Sequence, residues 1–343
     1  MQSLVLEDTR RLAWHDVPDP ERRHEREAIV RPIAVATCDL DQPMIFGQTP
    51  FPMPINLGHE CVAEVVEGPD RFAAGDRVVV PFQISCGTCE RCERGRTGDC
   101  ASVAPLSMYG FGALGGDWGG MLSDLALIPY AEAMLVPLPD GVDPTVVPSA
   151  ADNIADGWRT VAPALAEHPA ADVLVVGGMG SMPLYAVDAA LALGAASVTY
   201  VDTDAARLAV AAKLGAQVAE GKPERSLGAF PVTVDGTATA EGLVATLRLT
   251  EWGGRCTSIA QVAPEGTLPL FELYTRGVQL HLGRAMARPA IPAILDLVAA
   301  GRLRPQLVTS ATIAWDDAAD ALLEPATKLI VHRSTRADSP TEA

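Results

Sequence analysis

Cys86-Gly-Thr-Cys89-Glu-Arg-Cys92-Glu-Arg-Gly-Arg-Thr-Gly-Asp-Cys100 places four of the chain's seven cysteines within fifteen residues. The gaps between them are two, two and seven residues. Thiolates at such spacing converge on one tetrahedral zinc ion. Gly87, Gly95 and Gly98 let the intervening loop wrap tightly. The alternative is a set of buried or disulfide-bonded cysteines. A lobe this polar has little apolar core to hold it without a metal. Four thiolate ligands leave no open position for substrate, so this zinc is expected to be structural.

A second set of residues points to a dinucleotide. Val173-Leu-Val-Val-Gly177-Gly178-Met-Gly180-Ser181-Met182-Pro183 reads as a strand, a Gly-rich turn and a helix start. A pyrophosphate sits at such a turn, on backbone N–H groups and the positive end of the helix. Gly178 and Gly180 fit the first two glycines of G-x-G-x-x-G, with Ser181 and Met182 opening the helix. Pro183 stands in place of the third glycine, which proline in the first helical turn tolerates. Asp202 follows at the end of the next strand, 24 residues after Gly178. A carboxylate there accepts hydrogen bonds from the adenosine ribose and repels a 2′-phosphate, which predicts NAD over NADP. The alternative role for Asp202 is a helix cap. Arg207 is placed facing the adenosine.

The cysteine pattern, arriving just after Gly75-Asp-Arg-Val-Val-Val, resembles the lobe of zinc-dependent medium-chain dehydrogenases, the alcohol dehydrogenase-like family. The resemblance runs from about residue 4 to residue 332. It implies a β-rich GroES-like catalytic domain plus a doubly wound Rossmann cofactor domain, an α/β chain overall. The implied boundaries are 1–152 and 286–343 for the catalytic domain, with the structural-zinc lobe at 84–102, and 153–285 for the cofactor domain. It further implies a second, catalytic zinc. Cys38-Asp39-Leu40-Asp41 sits where the family has its C-x-x-D turn, and Gly58-His59-Glu60 resembles its G-H-E. Asp152 falls at the third protein ligand. Cys38, His59 and Asp152 would then hold zinc with a position open, Glu60 lying close or ligating when substrate is absent. Asp41 matches the carboxylate that orients the histidine. A register shifted by two residues would instead match Asp39 to that carboxylate and put Ala36 at the ligand position.

Alcohol-oxidising members of the family carry a Ser or Thr two residues after the cysteine, and often a histidine three further on, to move the alcohol proton. Here these are Leu40 and Pro43, which carry no proton. Glu60, Asp39 or a zinc-bound water are the remaining candidates. The leading expectation is NAD-linked interconversion of an apolar secondary or cyclic alcohol and its carbonyl. The alternatives are a reductase of a conjugated double bond or iminium, and a ligand-binding descendant without turnover. Met108, Tyr109, Trp118 and Trp158 are candidates for lining the substrate pocket, with plain core packing as the competing role.

These residues need two kinds of scaffold. The first half shows short Val-rich runs broken by Pro and Gly: strands over Ala28–Arg31, Ile33–Thr37, Cys61–Glu67, Asp76–Pro81, Leu122–Pro129 and Ala133–Pro137, with 42–57 as a loop. Such spacing indicates a compact β-barrel-like domain. From about residue 150, strands at Asp172–Val176, Ser197–Val201, Val232–Val234, Gly254–Ala260 and Gln279–Gly283 alternate with helices. That alternation indicates a doubly wound parallel sheet. The strand Lys328–His332 returns to the first domain, as in the resembling family, and 334–343 reads as a disordered tail.

The chain has 343 residues, enough for two cores. Its net charge of −17 argues against a nucleic-acid partner and against an anionic membrane surface. It has no run of eighteen apolar residues and no leader-like start, so a cytoplasmic location is expected. Clustered cysteines there are metal ligands rather than disulfides. The resemblance implies a homodimer or homotetramer.

Overall fold

The computed structural model describes residues 1–260 and 265–333; the stretch 334–343, expected to be a tail, lies outside them. The chain divides into two compact units. One comprises Met1–Asp152, Met286–Ala299 and the chain from Thr309; the other comprises Asn153–Ala285 and Ala300–Val308. Among the described residues no helix is long and apolar enough to cross a membrane.

The first unit is β-rich. Its larger sheet runs in the order Ala311–Ala314, Leu329–His332, Ala28–Ala36, Glu60–Glu67, Arg77–Val80 and Val136–Pro137, with Ala126–Ile128 also pairing to Ala28–Ala36. Ala28–Ala36 was expected as two strands broken at Pro32. It is one nine-residue strand whose register slips between Pro32 and Ala34, where the missing N–H of proline falls in a bulge. The expected strand Leu122–Pro129 shrinks to Ala126–Ile128, because Ser123 Oγ donates to the Gly120 and Leu125 carbonyls and folds a turn ahead of it. The expected strand Ala133–Pro137 is a helical turn, Ala131–Met134, followed by Val136–Pro137. The expected loop 42–57 contains a short helix, Asp41–Ile45, with Met44 and Ile45 buried, and a strand, Ile55–Asn56. That strand extends a hairpin, Gln2–Asp8 with Arg11–Asp16, which the broken apolar runs near the N-terminus did not reveal.

The second unit holds one parallel six-stranded sheet. Its order is Gln217–Glu220, Ser197–Asp202, Asp172–Val176, Phe230–Asp235, Thr250–Ser258 and Gln279–Leu282. Strand order reverses beside Asp172–Val176, the switch point at which doubly wound sheets bind ligands. Val173, Leu174, Val175 and Val176 are all buried, as a central parallel strand covered on both faces requires. The helix Met182–Ala192 is buried almost all round. Helix Asn153–Glu167 lies so close to it that a Cβ on Gly157 would stand 2.7 Å from the Ala186 nitrogen.

The segment 300–308, expected with the catalytic domain, belongs to this second unit because arginines staple it there. Arg302 donates to the Ala192 carbonyl, and the Arg304 guanidinium to that of Leu214. The Arg304 N–H donates to the buried Asp188 carboxylate at 2.6 Å. The other Asp188 oxygen accepts no hydrogen bond, with Arg304 Nε 3.8 Å away. Burial outweighs Arg304 and pushes the Asp188 carboxyl up from 3.8 to about 6. A raised carboxyl stabilises the fold below its unfolded value and loses that contribution as pH rises through the folded value. Asp188→Asn is therefore expected to remove a stability term of up to about 3 kcal/mol that fades between roughly pH 4 and 6. The unfolding free energies of wild type and variant, compared across that window, check it; a constant difference would contradict it.

Candidate active site

Sheet register brings the chemistry of the first unit together. Ala36 pairs with Glu60, and Ile330 pairs with Ala36. Thr37–Cys38, His59–Glu60 and Lys328 therefore meet at one end of the same three strands. The turn Pro148–Ala151 packs against Glu60–Glu67 and delivers Ser149 and Asp152. The register with Cys38 facing this cluster is the one adopted; Ala36 is a ladder residue of the sheet.

Cys38, His59, Glu60 and Asp152 are all buried, and each offers a ligand atom within 4.8 Å of the others. Asp152 Oδ2 lies 3.3 Å from Cys38 Sγ and 3.4 Å from His59 Nε2. Ligands about 2.1 Å from a zinc ion in a tetrahedron stand roughly 3.4 Å apart. Neither ring nitrogen of the fully buried His59 has a hydrogen bond. A buried imidazole that makes no hydrogen bond is costly, and a metal at Nε2 would give that nitrogen a bond. Asp41 Oδ1 faces Nδ1 at 4.0 Å, while Asp41 Oδ2 accepts the Cys38 N–H at 2.8 Å. Burial and the carboxylates of Asp152, Asp41, Glu60 and Asp39 push the Cys38 thiol well above its ordinary value. A dication is the species that would offset so much negative charge. The residues present thus fit a zinc site.

Gly110 sets the approach to the ring. Its φ is +80°, and a Cβ there would stand 2.8 Å from His59 Nδ1. Phe111 and Phe82 flank the imidazole, with ring centroids 4.8 and 5.8 Å away.

Two residues that touch Glu60, Ser149 and Lys328, are not marked by any motif. Ser149 Oγ donates to Glu60 Oε2, and Lys328 Nζ donates to the same oxygen at 3.0 Å and to the Thr37 carbonyl. Both Lys328 and Glu60 have no exposed surface. Burial pushes the Glu60 carboxyl up, and Lys328 pulls it back. No local pattern marks Lys328: it lies 268 residues from Glu60, and only the returning strand joins them.

Of the proposed pocket residues, Tyr109 is a core side chain: it is fully buried and its hydroxyl donates to the Leu127 carbonyl at 2.7 Å. Met108 is buried, and Trp118 is half-buried. Trp158 stands in the second unit, on Asn153–Glu167. Asp39, Leu40 and Pro43 are half-buried.

The lobe 84–102 gathers Cys86, Cys89, Cys92 and Cys100, again with ligand atoms within 4.8 Å of one another. No cysteine is in a disulfide. The N–H groups of Cys86 and Ser102 point at Cys100 Sγ and that of Ala101 at Cys89 Sγ, each at 3.4 Å. Ser102 Oγ donates to Cys86 Sγ at 3.2 Å. Donors aimed at sulfur are what thiolates need, and these four residues fit a closed zinc site.

In the second unit the Gly-rich turn leaves the central strand. The Gly177 N–H donates to the Val201 carbonyl at 2.8 Å, and the Met179 N–H to that of Gly236 at 2.9 Å. Gly178 has φ +132°, a conformation open to glycine. Pro183 occupies the first turn of Met182–Ala192 and fills the space over Gly236. Ser181 is buried and its hydroxyl accepts from Asn153 Nδ2 at 3.0 Å. Asp202 ends its strand as expected, but the cap of helix Ala205–Leu214 is Asp204, which accepts the Arg207 N–H at 2.9 Å.

Residues 24–140 match the alcohol dehydrogenase GroES-like domain. A probable zinc-binding alcohol dehydrogenase of Mycobacterium tuberculosis is 28% identical over 93% of this chain and 84% of its own length. A glutathione-independent formaldehyde dehydrogenase of Pseudomonas aeruginosa is 33% identical over 62% of this chain, which spans 55% of that relative. The solved alcohol dehydrogenase of Thermus sp. ATN1 superposes with a TM-score of 0.88 at 27% identity, covering 97% of this chain and all of the other. The β-rich unit, the doubly wound unit and this full-length likeness agree: residues 24–140 form an alcohol dehydrogenase GroES-like domain, and the chain as a whole is similar in sequence and fold to zinc-binding alcohol dehydrogenases.

Proposed function

We propose that this protein is a zinc-dependent, NAD-linked oxidoreductase that interconverts an apolar alcohol and its carbonyl by hydride transfer. The observation that carries the proposal is His59: a buried imidazole with no hydrogen bond, beside Cys38 and Asp152 at tetrahedral spacing. Cys38, His59 and Asp152 would hold the catalytic zinc, with Glu60 within reach, and Cys86, Cys89, Cys92 and Cys100 a structural one. Bound there, the catalytic ion would supply Lewis-acid polarisation of an alcohol or carbonyl oxygen, and NAD would supply the hydride acceptor. The chain's own part is orientation and exclusion of water. Asp41 faces His59 Nδ1 and aligns the ring. Phe82 and Phe111 give the site apolar walls, which favour an apolar substrate over a charged one. Leu40 and Pro43 carry no proton, so the alcohol proton leaves another way. Glu60, held by Ser149 and Lys328, is the candidate within the cluster, and Asp39 the second.

The test is zinc content per chain together with NADH formation from a panel of primary, secondary and cyclic alcohols. Two zinc ions and NADH formation are expected, and Glu60→Gln is expected to alter both turnover and its pH profile. Unchanged values in that variant would exclude Glu60 as the proton carrier. The missing relay at Leu40 and Pro43 favours one second reading, reduction of a conjugated double bond or iminium. NADH consumption with such substrates, and no alcohol oxidation, would establish it instead.

A second copy of this chain is the proposed partner. Gln279–Leu282 is the last strand of its sheet, and Leu282 on it is exposed, as are Leu270, Phe271 and Tyr274 on the adjoining helix Leu270–Arg276. An uncovered edge beside an apolar helix face suits strand-to-strand pairing of two copies. Sedimentation velocity is expected to show a dimer or tetramer that Phe271→Asp weakens; a monomer at micromolar concentration would refute this.

A further inference from the structure

The chain carries 43 acidic residues against 26 lysines and arginines, yet one cleft of its first unit is lined by arginines that no carboxylate engages. The cleft encloses about 490 Å³, within the range of about 300–1,000 Å³ usual for small-molecule sites. Arg26 and Arg71 line it, together with Thr88 and Ser102 of the cysteine lobe and Tyr130 and Glu132 of the turn ahead of Val136–Pro137. Gly87, at φ +76°, lets the lobe close on that turn: a Cβ there would stand 2.6 Å from the Ala133 Cβ. Arg288, on the helix Ala287–Ala299 of the same unit, donates from Nε to the Ala133 carbonyl at 2.8 Å. The Arg26 guanidinium lies 4.7 Å over the Tyr130 ring. Cations from three distant parts of the chain thus meet around residues 130–133.

Among the described residues none of Arg26, Arg71 and Arg288 makes an ion pair. Glu132 is the one carboxylate in the lining; it is exposed and pairs with none of them. Glu27, beside Arg26 in sequence, turns its carboxylate to the Arg23 and His24 N–H groups, at 2.6 and 2.9 Å. The lobe does not engage them either. Cys86 Sγ takes its hydroxyl donors from Ser102 at 3.2 Å and Thr88 at 3.7 Å, and none of the three arginines bonds a sulfur. Burial, and then the charge of Arg71, pull the Arg288 guanidinium below its ordinary value. Like charges gathered in this way repel, and an anion among them offsets the cost.

We propose that this cleft binds a small molecule carrying a phosphate monoester, held by the guanidinium groups of Arg26 and Arg71 with the charge of Arg288 beside them. A phosphate monoester brings close to two negative charges at neutral pH and three acceptor oxygens, which suit more than one planar donor fork; a carboxylate brings a single charge. Occupied, the cleft joins the cysteine lobe to residues 130–133. It shares no residue with the cluster around His59 or with the Gly-rich turn, so the inference stands apart from the proposed function.

The experiment is titration calorimetry of inorganic phosphate into the whole, zinc-loaded protein at fixed ionic strength, with NAD present so that the turn at Gly178 is already filled. Wild type is compared with Arg26→Gln, Arg71→Gln and the double variant. Wild type is expected to bind one phosphate per chain. Each single variant is expected to bind it roughly tenfold more weakly and the double variant roughly a hundredfold, as loss of one and two charge-assisted partners implies. Both side chains are exposed, so the variants should fold. Phosphate is expected to raise the unfolding temperature of wild type, and not that of the double variant, above the value in chloride. Absence of phosphate binding in wild type would overturn the inference. So would equal binding in wild type and the double variant, which would place the phosphate elsewhere. Tighter binding of citrate than of phosphate would overturn the assigned ligand class. No phosphate binding in wild type, with loss of zinc from the double variant, would make the arginines counter-charges of the lobe's thiolates instead.

Discussion

His59→Ala is expected to take one of two zinc ions from each chain and to lower turnover at least about a thousandfold, the several kcal/mol that Lewis-acid polarisation contributes. Cys38→Ser and Asp152→Asn are expected to act in the same direction, since Asp152 Oδ2 stands 3.3 Å from Cys38 Sγ and 3.4 Å from His59 Nε2. The zinc of the lobe should remain, because Cys86–Cys100 is built from a separate loop with its own donors to sulfur. Metal analysis beside steady-state rates separates the two sites. If His59→Ala keeps both ions, the cluster around Asp152 does not hold zinc through His59. If it loses one ion and keeps its rate, the metal there has no part in the chemistry.

Lys328→Met is expected to be the most destabilising single change among the residues described here. It would leave Glu60 buried without the ammonium that pairs with it, and breaking a buried pair on one side costs about 3–5 kcal/mol. Both side chains have no exposed surface, and Lys328 Nζ bridges Glu60 to the Thr37 carbonyl next to Cys38. Denaturant unfolding at constant zinc content measures the loss. Glu60→Gln in the same chain should recover most of it, because an amide costs far less to bury than a charge. Lys328→Met within about 1 kcal/mol of wild type would mean that Glu60 is protonated and neutral in the folded protein.

Several features were legible along the chain because their geometry is local. The four cysteines of the lobe lie within fifteen residues, so whatever path the loop takes they remain within reach of one ion. The Gly-rich turn, its helix and Asp202 belong to one strand–helix–strand unit, whose right-handed crossover leaves little freedom. The alternation of apolar strands with helices after residue 150 likewise indicated the parallel sheet, since central strands buried on both faces must be continuous apolar runs. The short strands of the first unit were harder. Ala126–Ile128 and Val136–Pro137 are set by turns and bridges to distant strands, not by propensity. Gln2–Asp8 closes its sheet through Ile55–Asn56, about fifty residues on.

Residues 38, 59 and 152 could be grouped in sequence only through a family resemblance, because no periodicity links positions so far apart. The structure brings them together by register: Ala36 opposite Glu60, and the turn Pro148–Ala151 across the end of the same strands. Lys328, Ser149, Phe82 and Phe111 acquire meaning only there, as side chains that are unremarkable until a carboxylate or an imidazole lies beside them. Asp202 shows both halves of the lesson. Sequence placed it at the strand end where a ribose would meet it. Only the folded chain showed that Tyr200, two residues back on the same strand, and Arg207, on the following helix, donate to its carboxylate. Composition and spacing determined which groups exist and which local turns they can form. Tertiary packing decided which of them are desolvated, paired or left without a partner, because desolvation and pairing depend on neighbours that chain order does not specify.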